Sequence, residues 1–411
     1  MTLFEELEWR GLVHSITDET VKEKINNGGV TFYLGTDPTG DSLHVGHLLV
    51  FILAKRLERC GHHPILLIGG GTGFIGDPKP TAERKMLTKE QIDHNAKKLY
   101  AQVSNLFKCD MVNNYDWISQ IDLLTFLRKY GKLFNVSYMI NKETVKSRLD
   151  SGISYTEFSY QILQALDFEH LFSTKGATME IGGQDQWGNI LSGLELIRKL
   201  DGADKWAGGL TCPLFVKSDG TKFGKSEGGA VWLDKEKTSP YEFYQFWLNT
   251  PDSDVIKELK QFTFLTKEEI EALEKSFNEA PHLREAQKAL AKELTVMIHG
   301  EEAYNQAIRL SQALFSGKIS ELTEEEIKMG FQGLPTVEVK ENIGLIDALE
   351  LLHAASSKRE ARDFITGGGV QVNGVQVKDL QFVITPETTL GLDTTIIRRG
   401  KKNYYVLKHT K

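Results

Sequence analysis

Two imidazoles three positions apart, His44 and His47, and two lysines on a glycine-containing stretch, Lys222 and Lys225, are the residues of this 411-residue chain best suited to chemistry. The first pair lies in Pro38-Thr39-Gly40-Asp41-Ser42-Leu43-His44-Val45-Gly46-His47, the second in Lys222-Phe223-Gly224-Lys225-Ser226. Imidazole N–H and ammonium groups around a triphosphate stabilise the charge that grows on phosphate oxygens during nucleotidyl transfer. A metal pair is the rival reading for the histidines, but no cysteine or carboxylate cluster with ligand spacing stands near them. For the lysines the rival is a solvated surface turn.

The flanking elements decide how these groups are held. Val30-Thr31-Phe32-Tyr33-Leu34 reads as a strand, and residues 35–42 read as a turn. Asp41 or Ser42 is expected to cap a helix that starts near residue 43 and stops at Gly61. The histidines then sit at a strand-to-helix junction, where free N–H groups and the helix dipole attract phosphate. They share one face of the first turn, and Gly46 lets a flat base lie against the backbone. The lysines follow a strand-like run at residues 210–216 and a turn at Ser218-Asp219-Gly220, an arrangement suited to a closing lid.

A third constellation lies between them. Tyr160, Gln164 and Asp167 fall at i, i+4 and i+7, on one face of a helix flanked by Phe158, Leu163 and Leu166. A pocket and a wet helix face are equally compatible with that stripe. Gly183-Gln184-Asp185-Gln186-Trp187-Gly188-Asn189 forms a polar loop between a strand and a helix, a natural place for a ribose. Gly71-Thr72-Gly73-Phe74-Ile75-Gly76 matches the dinucleotide fingerprint, which would make the chain a nicotinamide-dependent oxidoreductase. Pro78 and Pro80 argue against the helix that reading requires. The glycines are better read as bringing backbone close to a ligand, with Asp77 exposed to it or capping a helix.

Composition sets the wider frame. The net charge is −7, and the hydrophobic content of 40% supports sizeable cores. No apolar run is long enough for a membrane span, and the acidic N-terminus lacks a secretion-signal layout. Cys60, Cys109 and Cys212 match no zinc spacing, so a reducing, cytoplasmic setting is expected. Residues 345–411 hold ten Lys or Arg against seven Asp or Glu, a net of +3, which leaves −10 on the other 344. In that tail Lys358, Arg359 and Arg362 precede a hairpin pattern around Asn373-Gly374, then Arg398, Arg399, Lys401 and Lys402. Basic helix and hairpin together resemble a small RNA-binding module.

Taken in order, the motifs resemble those of class I aminoacyl-tRNA synthetases, and across nearly the whole chain those of the bacterial tyrosyl-tRNA synthetases. The matching stretches include Asp37-Pro38-Thr39, His44-Val45-Gly46-His47, Gly76-Asp77-Pro78, Asn113-Asn114-Tyr115-Asp116-Trp117, Thr156-Glu157-Phe158-Ser159-Tyr160, the polar loop ending at Asn189, and the lysine motif. The resemblance implies an α/β fold: a doubly wound, parallel-sheet nucleotide-binding domain, an α-helical domain and a small α+β RNA-binding domain. The expected boundaries are 1–220 for the catalytic domain, 221–318 for the lid and helical tRNA-binding domain, 319–344 for a linker and 345–411 for the RNA module.

The resemblance also implies the chemistry. Tyrosine is activated with ATP and Mg²⁺ as substrates, pyrophosphate leaves, and tyrosine passes to the 3′ end of its tRNA on a homodimer that has no membrane and no protein-ligated metal. It places Tyr33 and Asp167 on the phenol, and Asp77, Tyr160 and Gln164 on the ammonium with Asn114 in support. Gly35, Asp37, Gly46, Asp185 and Gln186 fall around the adenylate and the reacting carboxyl. Thr39, His44, His47, Lys222, Lys225 and Ser226 face the phosphates, together with Lys79 or Arg84. Leu34 departs from the polar residue of a relative, which removes one ribose contact.

Overall fold

The computed structural model describes residues 1–79, 83–216, 230–400 and 403–410. Its chain divides into two compact units, Met1–Asp234 with Thr250–Leu290, and Lys235–Asn249 with Ala291–Lys411.

The first unit is built on a six-stranded sheet. Its strands are β1 (Ser15–Ile16), β2 (Thr31–Thr36), β3 (His63–Ile68), β4 (Asp110–Asn113), β5 (Met179–Gly183) and β6 (Gly208–Cys212). Their spatial order is β1-β6-β5-β2-β3-β4, parallel throughout except that β1 runs antiparallel to β6. In β3 the run Pro64-Ile65-Leu66-Leu67-Ile68 is wholly buried, as a strand covered on both faces must be. Helices α1 (Val45–Arg59), α2 (Lys89–Leu106), α3 (Tyr155–Lys175) and α4 (Trp187–Leu200) connect these strands. The chain winds from β2 through β3 to β4, and α3 then returns it to β5 on the other side of β2. That reversal opens a crevice at the C-terminal ends of β2 and β5, where ligands settle in such sheets.

Neither Asp41 nor Ser42 caps α1. The Ser42 hydroxyl is engaged elsewhere, donating to Leu43 O at 2.8 Å and accepting from Gln102 Nε2 at 3.1 Å. His44 is the N-cap instead. The expected boundary at 220/221 also shifts, because helices Val255–Phe262 and Lys267–Glu279 belong with the sheet. Arg56 donates to Thr263 O at 2.6 Å and Arg10 to Leu265 O at 2.7 Å, fastening that turn to the first unit. The Thr266–Glu269 capping box opens the second of these helices, as its spacing predicts.

The second unit carries the tail. Its five-stranded sheet comprises β7 (Thr336–Val339), β8 (Val370–Val372), β9 (Val375–Gln376), β10 (Thr394–Arg399) and β11 (Asn403–His409), in the order β9-β8-β10-β11-β7. The β8–β9 hairpin turns through Asn373 and Gly374, at φ 50° and 85°, the left-handed pair that a tight hairpin requires. Helices α5 (Leu345–Leu351) and α6 (Lys358–Thr366) close over a core of Leu349, Ile365, Val372, Ile397 and Leu407. Residues 319–344 are not a bare linker. Within them helix Glu324–Phe331 buries Ile327 and Phe331 against Ile396 and Val406, and β7 pairs parallel with β11. The Glu and Lys side chains there lie on the solvent face except Glu326, which is buried and paired with Arg309.

Candidate active site

A cavity of about 260 Å³ lies at the crevice. Tyr33, Gly35, Asp37 and Thr39 reach it from β2 and the turn beyond, and Gly46 and His47 from the first turn of α1. From α3 come Tyr160, Gln164 and Asp167, all on one face, so the stripe read in the sequence is a pocket wall. Asp185 and Gln186 enter from the turn after β5, and Asp77 with Arg84 from the segment after β3.

The carboxyls of this wall, half-buried at Asp37 and Asp77 and buried at Asp167, are cross-linked by side-chain donors. Asp37 accepts from the Thr72 hydroxyl at 2.6 Å and from the Tyr160 hydroxyl at 2.9 Å. Asp77 accepts from Gln186 at 3.1 Å and from Asn189 at 3.2 Å, and Asn189 also donates to Gln164 at 3.0 Å. Asp167 accepts from Asn114 at 2.9 Å and from the Trp117 indole at 2.8 Å. Burial still dominates. It lifts the Asp37 carboxyl above its ordinary value, Asp77 to about 6, and Asp167 well above the usual carboxylate range. Several acids held above their ordinary range in one cavity make a site that a cation would ionise and satisfy.

Glu180 is the site residue that the sequence reading passed over. It stands on β5 directly beside Tyr33 on β2, and both are buried. Gln164 donates to one of its oxygens at 2.8 Å, and the Tyr33 hydroxyl bears on the same carboxyl. Burial pushes Glu180 up to about 7 and raises the Tyr33 phenol, with the Glu180 charge adding to the latter. Lys142 was also missed: its ammonium donates to the Ser192 hydroxyl, and burial lowers it to about 7 against the pull of Asp77.

The two histidines are locked by the helix they begin. His44 Nδ1 accepts from Gly46 N–H at 3.0 Å, and His47 Nδ1 accepts from His44 N–H at 3.2 Å. With both Nδ1 atoms accepting, each neutral ring carries its proton on Nε2 and is a donor there. Burial lowers both imidazoles, His47 to about 3, so they are uncharged at neutral pH. The rings lie 4.0 Å apart; His47 lines the cavity, whereas His44 leans on Trp232 at 5.9 Å. Residues 231–233 pair with 43–45 through Val45 N–H to Val231 O at 3.0 Å and Leu233 N–H to Leu43 O at 2.9 Å. Residues 231–233 are thereby tied to the histidine motif. Lys222, Lys225 and Ser226 themselves lie outside the described residues.

Three expectations need correction or sharpening. Asn114 is fully buried behind the wall and does not line the cavity; its amide joins Asp167 to the Thr72 hydroxyl at 2.9 Å and to Gly71 N–H at 2.7 Å. It supports the wall rather than facing a ligand. The glycine fingerprint begins no α-helix: Thr72–Phe74 is a single 3-10 turn. Its glycines make room, since a Cβ at Gly71 would lie 3.2 Å from Asn114 Oδ1 and one at Gly76 would lie 2.5 Å from Arg84 Cδ. Of the two basic candidates beyond it, Arg84 lines the cavity and Lys79 is exposed.

Residues 25–316 match the family described as tRNA synthetases class I (W and Y), and residues 326–407 match the Tyrosine--tRNA ligase SYY-like C-terminal domain. A tyrosine--tRNA ligase of Staphylococcus saprophyticus is 52% identical over 416 residues, covering 99% of each chain. A C-terminally truncated mitochondrial tyrosyl-tRNA synthetase of Aspergillus nidulans superposes with a TM-score of 0.68 at 31% identity, over 76% of this chain and 94% of that one. The corresponding enzyme of Coccidioides posadasii gives 0.66 at 32% identity, over 75% and 91%.

Proposed function

This chain belongs to the tyrosine–tRNA ligase family of class I synthetases, and on that premise we propose how its cavity divides the work of tyrosine activation and transfer. The amino acid lies with its phenol against Tyr33 and Asp167 and its ammonium against Asp77, Tyr160 and Gln164. ATP enters as its magnesium complex. Its base rests on Gly46, its ribose and the reacting carboxyl lie among Gly35, Asp37, Asp185 and Gln186, and its phosphates meet Thr39, His44, His47, Arg84, Lys222, Lys225 and Ser226.

The observation that carries this reading is the cluster of buried acids, each already hydrogen-bonded to a neighbour and held above its ordinary pKa. An ammonium placed among them favours their ionised forms and is itself desolvated without loss. The tyrosine carboxylate then attacks the α-phosphorus in line, the bond to the β-phosphate oxygen breaks, and pyrophosphate leaves with the electron pair. Neutral Nε2–H donors, the positive end of α1 and the cations meet the charge that develops on the departing phosphates, which is where stabilisation raises the rate. In the second step a ribose hydroxyl of the tRNA 3′ end attacks the acyl carbon and releases AMP. ATP–pyrophosphate exchange with each amino acid in turn tests the reading. Exchange with tyrosine alone is expected, and exchange with tryptophan instead would overturn the pocket assignment.

The assembly follows the same premise. Leu123, Leu124 and Tyr155 are 70%, 75% and 68% exposed, and a groove of about 720 Å³ lined by Leu133, Tyr138, Leu191 and Leu194 lies on the same unit. An apolar surface of that kind needs cover, and a second copy of this chain is the proposed occupant. The positive tail is the proposed tRNA contact. Among the described residues no helix is long and apolar enough to cross a membrane, and Cys60, Cys109 and Cys212 are free thiols, which suits the cytoplasm.

A further inference from the structure

A buried ion pair stands outside the cavity, where no substrate reaches it. Arg148 and Glu157 are 4% and 2% exposed, with Arg148 Nη1 to Glu157 Oε2 at 3.1 Å, and neither lines the cavity. Both are used to their full reach. Arg148 also donates to Lys79 O at 2.8 Å and to Gly152 O at 3.0 Å, while the second Glu157 oxygen accepts the Arg84 backbone N–H at 2.7 Å. The pair therefore holds the backbone at Lys79 and at Arg84.

Between those points and the cavity the Arg84 side chain is itself constrained. Its stem crosses Gly76, where any side chain would collide, and its Nε donates to Asp77 O at 2.5 Å. Glu157 sits on α3 three residues before Tyr160, so one helix presents a carboxylate to the Arg84 backbone and polar groups to the pocket. A buried pair of this kind rarely stabilises a fold more than apolar residues of equal size would. Its value lies in fixing a geometry.

We propose that Arg148 and Glu157 are positioning residues for tyrosine activation: they hold the backbone of Lys79 and of Arg84 so that the Arg84 guanidinium stands at the phosphate end of the cavity. The proposal rests on the assignment of Arg84 to the phosphates. The clamp acts on the rate of adenylate formation and leaves the amino-acid end alone, because neither residue is bonded to Tyr33, Asp167 or Gln164.

Single-turnover formation of tyrosyl-adenylate and equilibrium binding of tyrosine test it on the full chain. Glu157→Gln with Arg148→Gln removes the pair without leaving a lone buried charge. Glu157→Asp is a second variant that keeps the charge but draws it back from the Arg84 N–H. Both are expected to slow activation by about tenfold or more, in the range seen when one preorganised donor is lost, with tyrosine affinity within about twofold of wild type, which also shows that the chain is folded. Arg84→Gln should be comparably slow, and combining it with the neutral pair should add nothing further. Losses that multiply in the combined variant overturn the clamp while leaving Arg84 on the phosphates. A wild-type rate in Arg84→Gln overturns that assignment and the clamp with it. Equal losses of rate and tyrosine affinity in Glu157→Asp also overturn the clamp, since they mark a merely structural role.

Discussion

The two ends of the cavity are built differently. At the end proposed for the amino acid, Asp77, Asp167 and Glu180 are each hydrogen-bonded to other side chains, and those partners are bonded in turn. At the end proposed for the phosphates, main-chain groups carry the bonds: His44 and His47 accept from amides at the start of their own helix, and Arg84 donates its own N–H to Glu157 and its Nε to the Asp77 carbonyl. A network of side chains fixes shape before the ligand arrives, and removing one member orphans another. Groups tethered by backbone can be removed singly, and water fills the place. The first arrangement suits selection among amino acids; the second suits charge that exists only briefly.

The contrast is sharpest in its largest predicted effect. His44→Ala should slow adenylate formation by about 10²–10³-fold, on the order of 3 kcal/mol, with tyrosine affinity changed by less than about twofold. Lys225→Ala is expected to behave alike. If either variant weakened tyrosine binding as much as it slowed the reaction, the two ends would not be separable.

Next comes Asn114→Ala, a change outside the cavity. It strips one donor from Asp167 and one from Thr72, leaving buried acceptors underused at about 1–3 kcal/mol. Tyrosine affinity and the thermal midpoint should fall together, while the activation rate at saturating tyrosine should change little. Calorimetry beside tyrosine titration reads both.

Glu180→Gln probes the same end by pH. Below about 4.5, the ordinary value of a glutamate, the carboxyl is protonated whether the chain is folded or not. As pH rises toward 7 the unfolded chain gives up its proton first, so the wild type loses stability relative to the variant, by at most about 1.4 kcal/mol per pH unit. Above 7 the difference levels off. Denaturation of both proteins from pH 4.5 to 8 should show the gap opening over that window, and a constant gap would mean that Glu180 is not titrating late.

The smallest effect belongs to Tyr33→Phe. It keeps the ring and loses one hydroxyl, so the tyrosine-to-phenylalanine ratio of kcat/KM should narrow by roughly fivefold, about 1 kcal/mol. Tyrosyl-tRNA synthetases as a class reject phenylalanine by about 10⁵-fold, an established magnitude for such enzymes rather than one predicted from this cavity. Most of that selectivity is therefore expected to reside in Asp167. An unchanged ratio would remove Tyr33 from the phenol contact.

What could be read from residue types was whatever local spacing encodes. The i, i+4, i+7 stripe of α3, the Asn373-Gly374 turn and the Thr266 cap are each settled within a few residues, and each stands as read. Glu180 could not be found that way. It interrupts the apolar Met179-Glu180-Ile181 and becomes a pocket residue only because β5 pairs with β2, 147 residues earlier in the chain, a register that no local pattern sets. Asn114, read as a supporting group, was legible only in part. Its position in the motif was clear, but whether an amide faces the ligand or stands behind the carboxylate that does is decided by packing depth. In residues 319–344 charge hid two buried faces, and β7 is too short to announce a strand without its distant partner.

That distant partner has a consequence for how the tail is made. β11 occupies an inner position of its sheet, between β10 and β7, although it is the last of the five strands to be synthesised. β7 waits for it across an intervening stretch that includes two helices and a hairpin, so this module depends on long loop closure and cannot complete its sheet during translation until residue 409 is free of the ribosome. The first unit has all of its sheet strands by residue 212. A ribosome-bound chain would therefore carry all strands of the cavity-bearing sheet well before it carried a folded C-terminal sheet, and shortening the chain by the length of β11 would leave β7 and β10 as two open edges.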